Sequence, residues 1–172
     1  VWDSDSGAMV QSVPIKGQLA NADGTVSVSS TLIFSTSGQA YSPRVAYGST
    51  PSEFFAVWAY NPTPQYASRL TQLYGLRLNS TGASAGAPIL VSVPITGGVQ
   101  DINMGLPAIV YNSQRNEYLI AWADRRPGVN SLWAQRISAD GQLLDNAWTP
   151  ADETNPANNF RISQSRGVRY NT

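Results

Sequence analysis

Two stretches of the chain carry the same hydrophobic signature. Glu53-Phe54-Phe55-Ala56-Val57-Trp58-Ala59-Tyr60 and Glu117-Tyr118-Leu119-Ile120-Ala121-Trp122-Ala123-Asp124 each open on an acid and run into an apolar segment with tryptophan at the same place. Val1-Trp2-Asp3 matches the close of that signature. On an extended strand Phe54, Ala56, Trp58 and Tyr60 fall on one face, and Phe55, Val57 and Ala59 on the other. Both faces are apolar, which predicts a strand covered on both sides within a layered structure.

Shorter runs flank each copy. Pro43-Arg44-Val45-Ala46-Tyr47 and Pro107-Ala108-Ile109-Val110-Tyr111 lead in, and Gly167-Val168-Arg169-Tyr170-Asn171 repeats that lead near the end. Ile15-Lys16-Gly17-Gln18-Leu19, Tyr74-Gly75-Leu76-Arg77-Leu78 and Trp133-Ala134-Gln135-Arg136-Ile137 read as matching third strands, which places Ile15, Tyr74 and Trp133 together. Each runs into a turn with glycine at 24, 82 or 141, spaced 58 and 59 residues apart, where a tight turn needs positive φ. Fourth strands are expected at Thr31–Ser35, Pro88–Val93 and Asn159–Ser163. No segment shows a 3.6-residue period, so no helix is expected. The reading is all-β, with four-stranded antiparallel units. Roughly, they span 1–42 (partial), 43–106, 107–166 and the start of another at 167–172.

Composition narrows the chemistry. Asp and Glu total 11 against 11 Lys and Arg, and Lys16 is the only lysine. That balance gives no field towards nucleic acid or an anionic membrane. The chain has no cysteine and no histidine, which excludes disulfides, thiolate nucleophiles, the usual triads and zinc hydrolase motifs. No apolar run approaches the ~18 residues of a spanning helix, so no membrane insertion is expected. Val1 opens the chain inside a strand, and any secretory leader is expected to lie outside this sequence.

Units of ~45–60 residues that cover one another's faces suit the blades of a β-propeller. The pattern Pro-x-Val-Ala-Tyr, Glu-Tyr/Phe-x-x-x-Trp, Tyr-Gly-x-Arg, a glycine turn and Ile/Phe-x-Ile-Ser resembles the blade repeats of large secreted bacterial proteins. The resemblance covers nearly the whole chain and is specific to the repeat, not to an activity. It implies about three units of a larger ring or array, since closed rings use roughly 4–8 blades.

Several residues are candidates for chemistry. Asp3-Ser4-Asp5-Ser6-Gly7 places carboxylates at alternate positions before glycine, so Asp3 and Asp5 are the candidate calcium ligands, although Pro14 stands where an EF-hand needs an acid. Trp148 and Tyr66 lie in irregular segments and are the candidate ligand-stacking residues. Trp133 and Tyr41 also offer aromatic faces, but Trp133 fits strand packing better. Arg77 and Arg136 recur in register and suit hydrogen bonds to loop carbonyls or ion pairs with Asp101 or Glu117. Asn79-Ser80-Thr81 is the one unblocked glycosylation sequon. Asp101, Glu117, Asp124 and Asp145 form no recognisable acid–base pair, so neither catalysis nor any cofactor beyond calcium is expected.

The sequence reads as a non-catalytic extracellular or cell-surface repeat protein, structural or adhesive, in an appendage, filament or matrix. A lectin-like carbohydrate-binding propeller is the alternative. The expected partners are other copies or the remainder of a longer chain, joined by strand pairing at the ends, and glycans for the alternative.

Overall fold

The β-branched and aromatic runs form strands, as their alternation requires. The computed structural model describes residues 2–3, 14–26, 31–34, 38–62, 71–92, 106–124, 131–144 and 159–164; all its regular elements are strands, and there is no helix among the described residues. A first sheet comprises β1 (Trp2–Asp3), β2 (Ile15–Gly17) and β3 (Thr31–Phe34), in that order. A second comprises β4 (Gln39–Gly48), β5 (Glu53–Asn61), β6 (Gln72–Leu78) and β7 (Ile89–Leu90), also in chain order. In the third, β8 (Ala108–Asn112), β9 (Glu117–Asp124) and β10 (Ser131–Ser138) lie side by side. There β10 also pairs with β11 (Leu143–Leu144) and β12 (Phe160–Gln164). All pairings are antiparallel, and the described strands close no barrel.

The two faces of β5 are covered as its alternation demands. Ala56, Trp58 and Tyr60 pack with Ile15, Leu76 and Leu78, with Ile33 and Phe34 of the first sheet against them. Phe55, Val57 and Ala59 pack with Tyr118, Ile120, Trp122, Trp133 and Ile137 of the third sheet. The second sheet therefore lies between the other two. Phe34 brings its ring centroid within 4.7 Å of Trp58, an aromatic contact between sheets.

Pair registers show which positions correspond. Trp58 stands opposite Tyr74, and Trp122 opposite Trp133. Trp2, however, stands opposite Lys16, with Ile15 opposite Asp3. The residue that corresponds to Tyr74 and Trp133 is thus Lys16, not Ile15, which corrects the expected match by one residue. A one-residue slip moves each side chain to the other face, and Ile15 does face the second sheet, in the place that Leu73 holds towards the third.

The turns agree with the corrected register. The Gly24, Gly82 and Gly141 amides donate to the carbonyls of Asn21, Asn79 and Ser138 at 2.9 Å each. All three glycines have positive φ (83°, 79° and 93°), which a side chain would oppose.

A bulge also recurs. Ile15 and Lys16 pair with Phe34 and Leu32, so Ile33 is extra; Leu132 and Trp133 pair with Ser163 and Arg161, so Ile162 is extra. In the second sheet the Val91 and Ser92 amides both donate to Leu73 O, at 2.8 and 3.3 Å, leaving Val91 in that place. Another bulge lets β4 begin at Gln39, ahead of the expected Pro43. Ser42 and Pro43 interrupt the pairing, with Ser42 at a φ of 54°, and proline has no N–H to contribute there.

Candidate functional site

Among the described residues, a connected polar group lies where the second and third sheets meet beside their turns. Arg77 on β6 donates through Nε and Nη2 to Glu53 Oε2 and Oε1, at 2.9 and 3.1 Å. Its Nη1 donates to Asp140 O of the third sheet at 3.0 Å. The Tyr118 hydroxyl donates to Glu53 O at 3.4 Å, and burial pushes its phenol up to about 12. These groups clasp the end of one sheet to the next.

The third sheet repeats the ion pair. Arg136 donates through Nε and Nη2 to the Glu117 carboxylate at 3.1 and 2.6 Å. The hydrogen bond to Glu117 raises the Arg136 guanidinium further above its ordinary range. Glu53 and Glu117 both open their strands, opposite the residues that follow Arg77 and Leu78 or Arg136 and Ile137. Of the sequence-level options for the arginines, a loop carbonyl is observed for Arg77 and Glu117 for Arg136. Glu53 was the missed partner, although its place ahead of the aromatic run matches that of Glu117.

At the first–second interface Leu19 replaces Arg77 and Phe54 replaces Tyr118, so no such clasp forms. Leu19, Ile33, Phe54, Leu78 and Gly82 instead line an open apolar cavity of about 100 Å³. A buried polar link was also missed. Asn159 Nδ2 donates to Gln135 Oε1 at 2.7 Å and to Val91 O at 2.9 Å, while Gln135 Nε2 donates to Leu144 O at 3.1 Å. It ties the third sheet to the second among buried residues, where polar groups are satisfied by hydrogen bonds.

Only some of the remaining candidate residues are described. Asp3 ends β1 opposite Ile15, so it belongs to a strand and not to a loop, and Asp5 lies outside the described residues. Trp148, Tyr66, Asp101 and Asp145 also lie outside them. No group of three metal-ligating side chains occurs among the described residues. Trp133 is 1% exposed and belongs to the core, so its faces cannot receive a sugar. Tyr41 is half-buried, with its hydroxyl 3.0 Å from Thr71 Oγ1.

Asn79 sits at the exposed turn where the sequon predicts it. Its Oδ1 accepts from Thr81 N (3.0 Å), Thr81 Oγ1 (2.7 Å) and Ala83 N (3.0 Å). The neighbouring turns use other side chains for the same work. Bonds from the Thr25 hydroxyl and amide hold the Asp23 carboxyl below its usual range, and the Ser138 hydroxyl donates to Asp140 Oδ1.

Comparison with family models, with curated proteins and with solved structures finds no match.

Proposed function

We propose that the three sheets are blades of β-propeller type, and that the chain serves a non-catalytic, structural or adhesive role outside the cell. One observation carries the reading: the same devices recur at corresponding places in successive sheets. They are the buried tryptophan, the glycine turn, the bulge and the glutamate–arginine pair. Of the acids weighed for glycoside hydrolysis, Glu117 is engaged by Arg136, and Asp101 and Asp145 lie outside the described residues.

A carbohydrate-binding propeller is the competing class. Its candidates Trp148 and Tyr66 lie outside the described residues, and Trp133, read from the sequence as strand packing, is buried. Titration of the chain with a panel of oligosaccharides, followed by calorimetry, separates the two. A scaffold gives no saturable heat. A stoichiometric sugar site overturns the structural role, and hydrolysis of any panel member overturns the non-catalytic one.

A further inference from the structure

The outer face of the third sheet reproduces, position by position, faces that are buried elsewhere in the chain. Leu132 corresponds to Leu73 and Ile15, since each stands opposite the residue after the strand tryptophan. Ile162 corresponds to Val91 and Ile33 in the bulge, and Val110 to Ala46. Leu73, Ile15 and Val91 are fully buried, each beneath the next sheet. Leu132, Ile162 and Val110 are 38%, 49% and 59% exposed.

In the first sheet the corresponding turn lacks the contact that the other two make, among the described residues. A Cβ on Gly82 would meet Leu19 of the preceding sheet at 3.4 Å, and one on Gly141 would meet Ile89 and Arg77 at 2.9 and 3.3 Å. A Cβ on Gly24 would meet nothing within 4 Å. Gln18, at the position of Leu76 and Gln135, is exposed on this sheet and also borders the cavity beside Leu19.

We propose that the outer face of the third sheet docks the first sheet of a second copy, head to tail. This rests on the repeat reading above and names its partner. Docking of that kind follows the register of the internal stacking, with Lys16 and Gln18 in the places of Tyr74 and Leu76 and Gly24 entering against Arg136 as Gly141 enters against Arg77. It also brings the Asp23 carbonyl towards Arg136, as Asp140 O meets Arg77 between the second and third sheets. The contact is heterologous, so it builds rings or filaments and not a closed pair.

Sedimentation of the full chain across a concentration series tests this. The expected mass rises with concentration in multiples of the protomer. Leu132→Asp blocks one end and Gln18→Asp the other, so each variant alone stays monomeric, and an equimolar mixture forms a one-to-one pair. Circular dichroism checks that each is folded, and Val110→Asp replaces Leu132→Asp if that variant is not.

A wild-type chain that stays monomeric at all concentrations overturns the proposal. So does a Gln18→Asp chain that still associates alone, because that requires like faces to meet. So does a mixture that forms no pair. Saturable sugar binding by the wild type overturns the structural role without changing these masses, so the two failures are distinguishable.

Discussion

Arg77 holds Glu53 by a two-pronged grip, Nε to Oε2 at 2.9 Å and Nη2 to Oε1 at 3.1 Å. The side chains are 25% and 19% exposed, so water screens the pair only in part. Exposed pairs contribute ~0.2–1 kcal/mol and hydrogen bonds to charged groups ~1.5–3 kcal/mol. A double-mutant cycle on Arg77→Ala and Glu53→Ala should give a coupling of about 1 kcal/mol, read by urea denaturation. Arg77→Lys keeps the charge without the fork and should lose most of that coupling. A cycle that returns zero removes the clasp from the account of how sheets are held.

Trp58 makes a second prediction. It is fully buried, and its Nε1 has no hydrogen-bond partner. Trp58→Ala should cost ~3–5 kcal/mol through lost burial and a residual cavity. Trp58→Phe also removes the unsatisfied N–H, whose burial costs ~1–3 kcal/mol, and should lose less than half as much. Chemical denaturation of the two variants checks the order. Equal losses indicate that Nε1 has a partner after all.

What was legible in the sequence follows from which positions are constrained twice. The β5 run could be read residue by residue because both its faces are apolar, so Phe55 and Trp58 announced opposite sides. The β2 run could not. Lys16 and Gln18 stand where Tyr74 and Leu76 stand in the second sheet, and Ile15 is the bulky apolar residue that opens the run, so it drew the alignment one place off. The turn glycines were the better ruler, because positive φ tolerates few substitutes. The bulges at Ile33, Val91 and Ile162 left no signal, since an extra residue in a strand carries no composition of its own. Nothing in the sequence links Gln135 with Asn159, and only the packing shows that they meet.

Tyr118 predicts a pH dependence. Burial raises its phenol from 10.0 to about 12, with Tyr111 and Glu53 nearby adding to the shift. Below about pH 10 the group is protonated in both folded and unfolded chains, and its contribution is whole. Between about pH 10 and 12 the unfolded chain releases the proton first, so stability falls as pH rises. Urea midpoints taken through that window should decline, and Tyr118→Phe should decline less steeply. Parallel declines exclude Tyr118 as the cause.

Asn79 separates a turn residue from a modified one. Its Oδ1 accepts three hydrogen bonds, so Asn79→Ala should cost about 1 kcal/mol, while Asn79→Asp keeps the acceptor and should cost little. A glycan on Nδ2 leaves Oδ1 able to accept, so modification and the turn are compatible. Expression in a glycosylating host should then add glycan mass that Thr81→Val removes. Unchanged mass confines Asn79 to the turn.

Gly75 and Phe55 give the last prediction, because the two sheets solve one packing problem in two ways. Gly75 stands opposite Val57, diagonal to Phe55, on the face covered by the third sheet. A Cβ at Gly75 would run into the Phe55 ring, with Cζ at 2.7 Å and Cε1 closer still. In the third sheet the same two places hold Ala134 and Leu119. The smaller partner strand side chain there leaves room for a methyl group, and alanine occupies it. Gly75→Ala should therefore destabilise by ~1–3 kcal/mol, the usual cost of overpacking. Phe55→Leu alone should also destabilise, by leaving space beside Tyr118, whose ring centroid lies 5.0 Å from that of Phe55. The double variant reproduces the third sheet's pair, so its loss should be smaller than the sum of the two single losses by at least about 1 kcal/mol. Thermal or urea unfolding of the four proteins measures that difference. Strict additivity means that Gly75 is required for a reason other than the Phe55 ring.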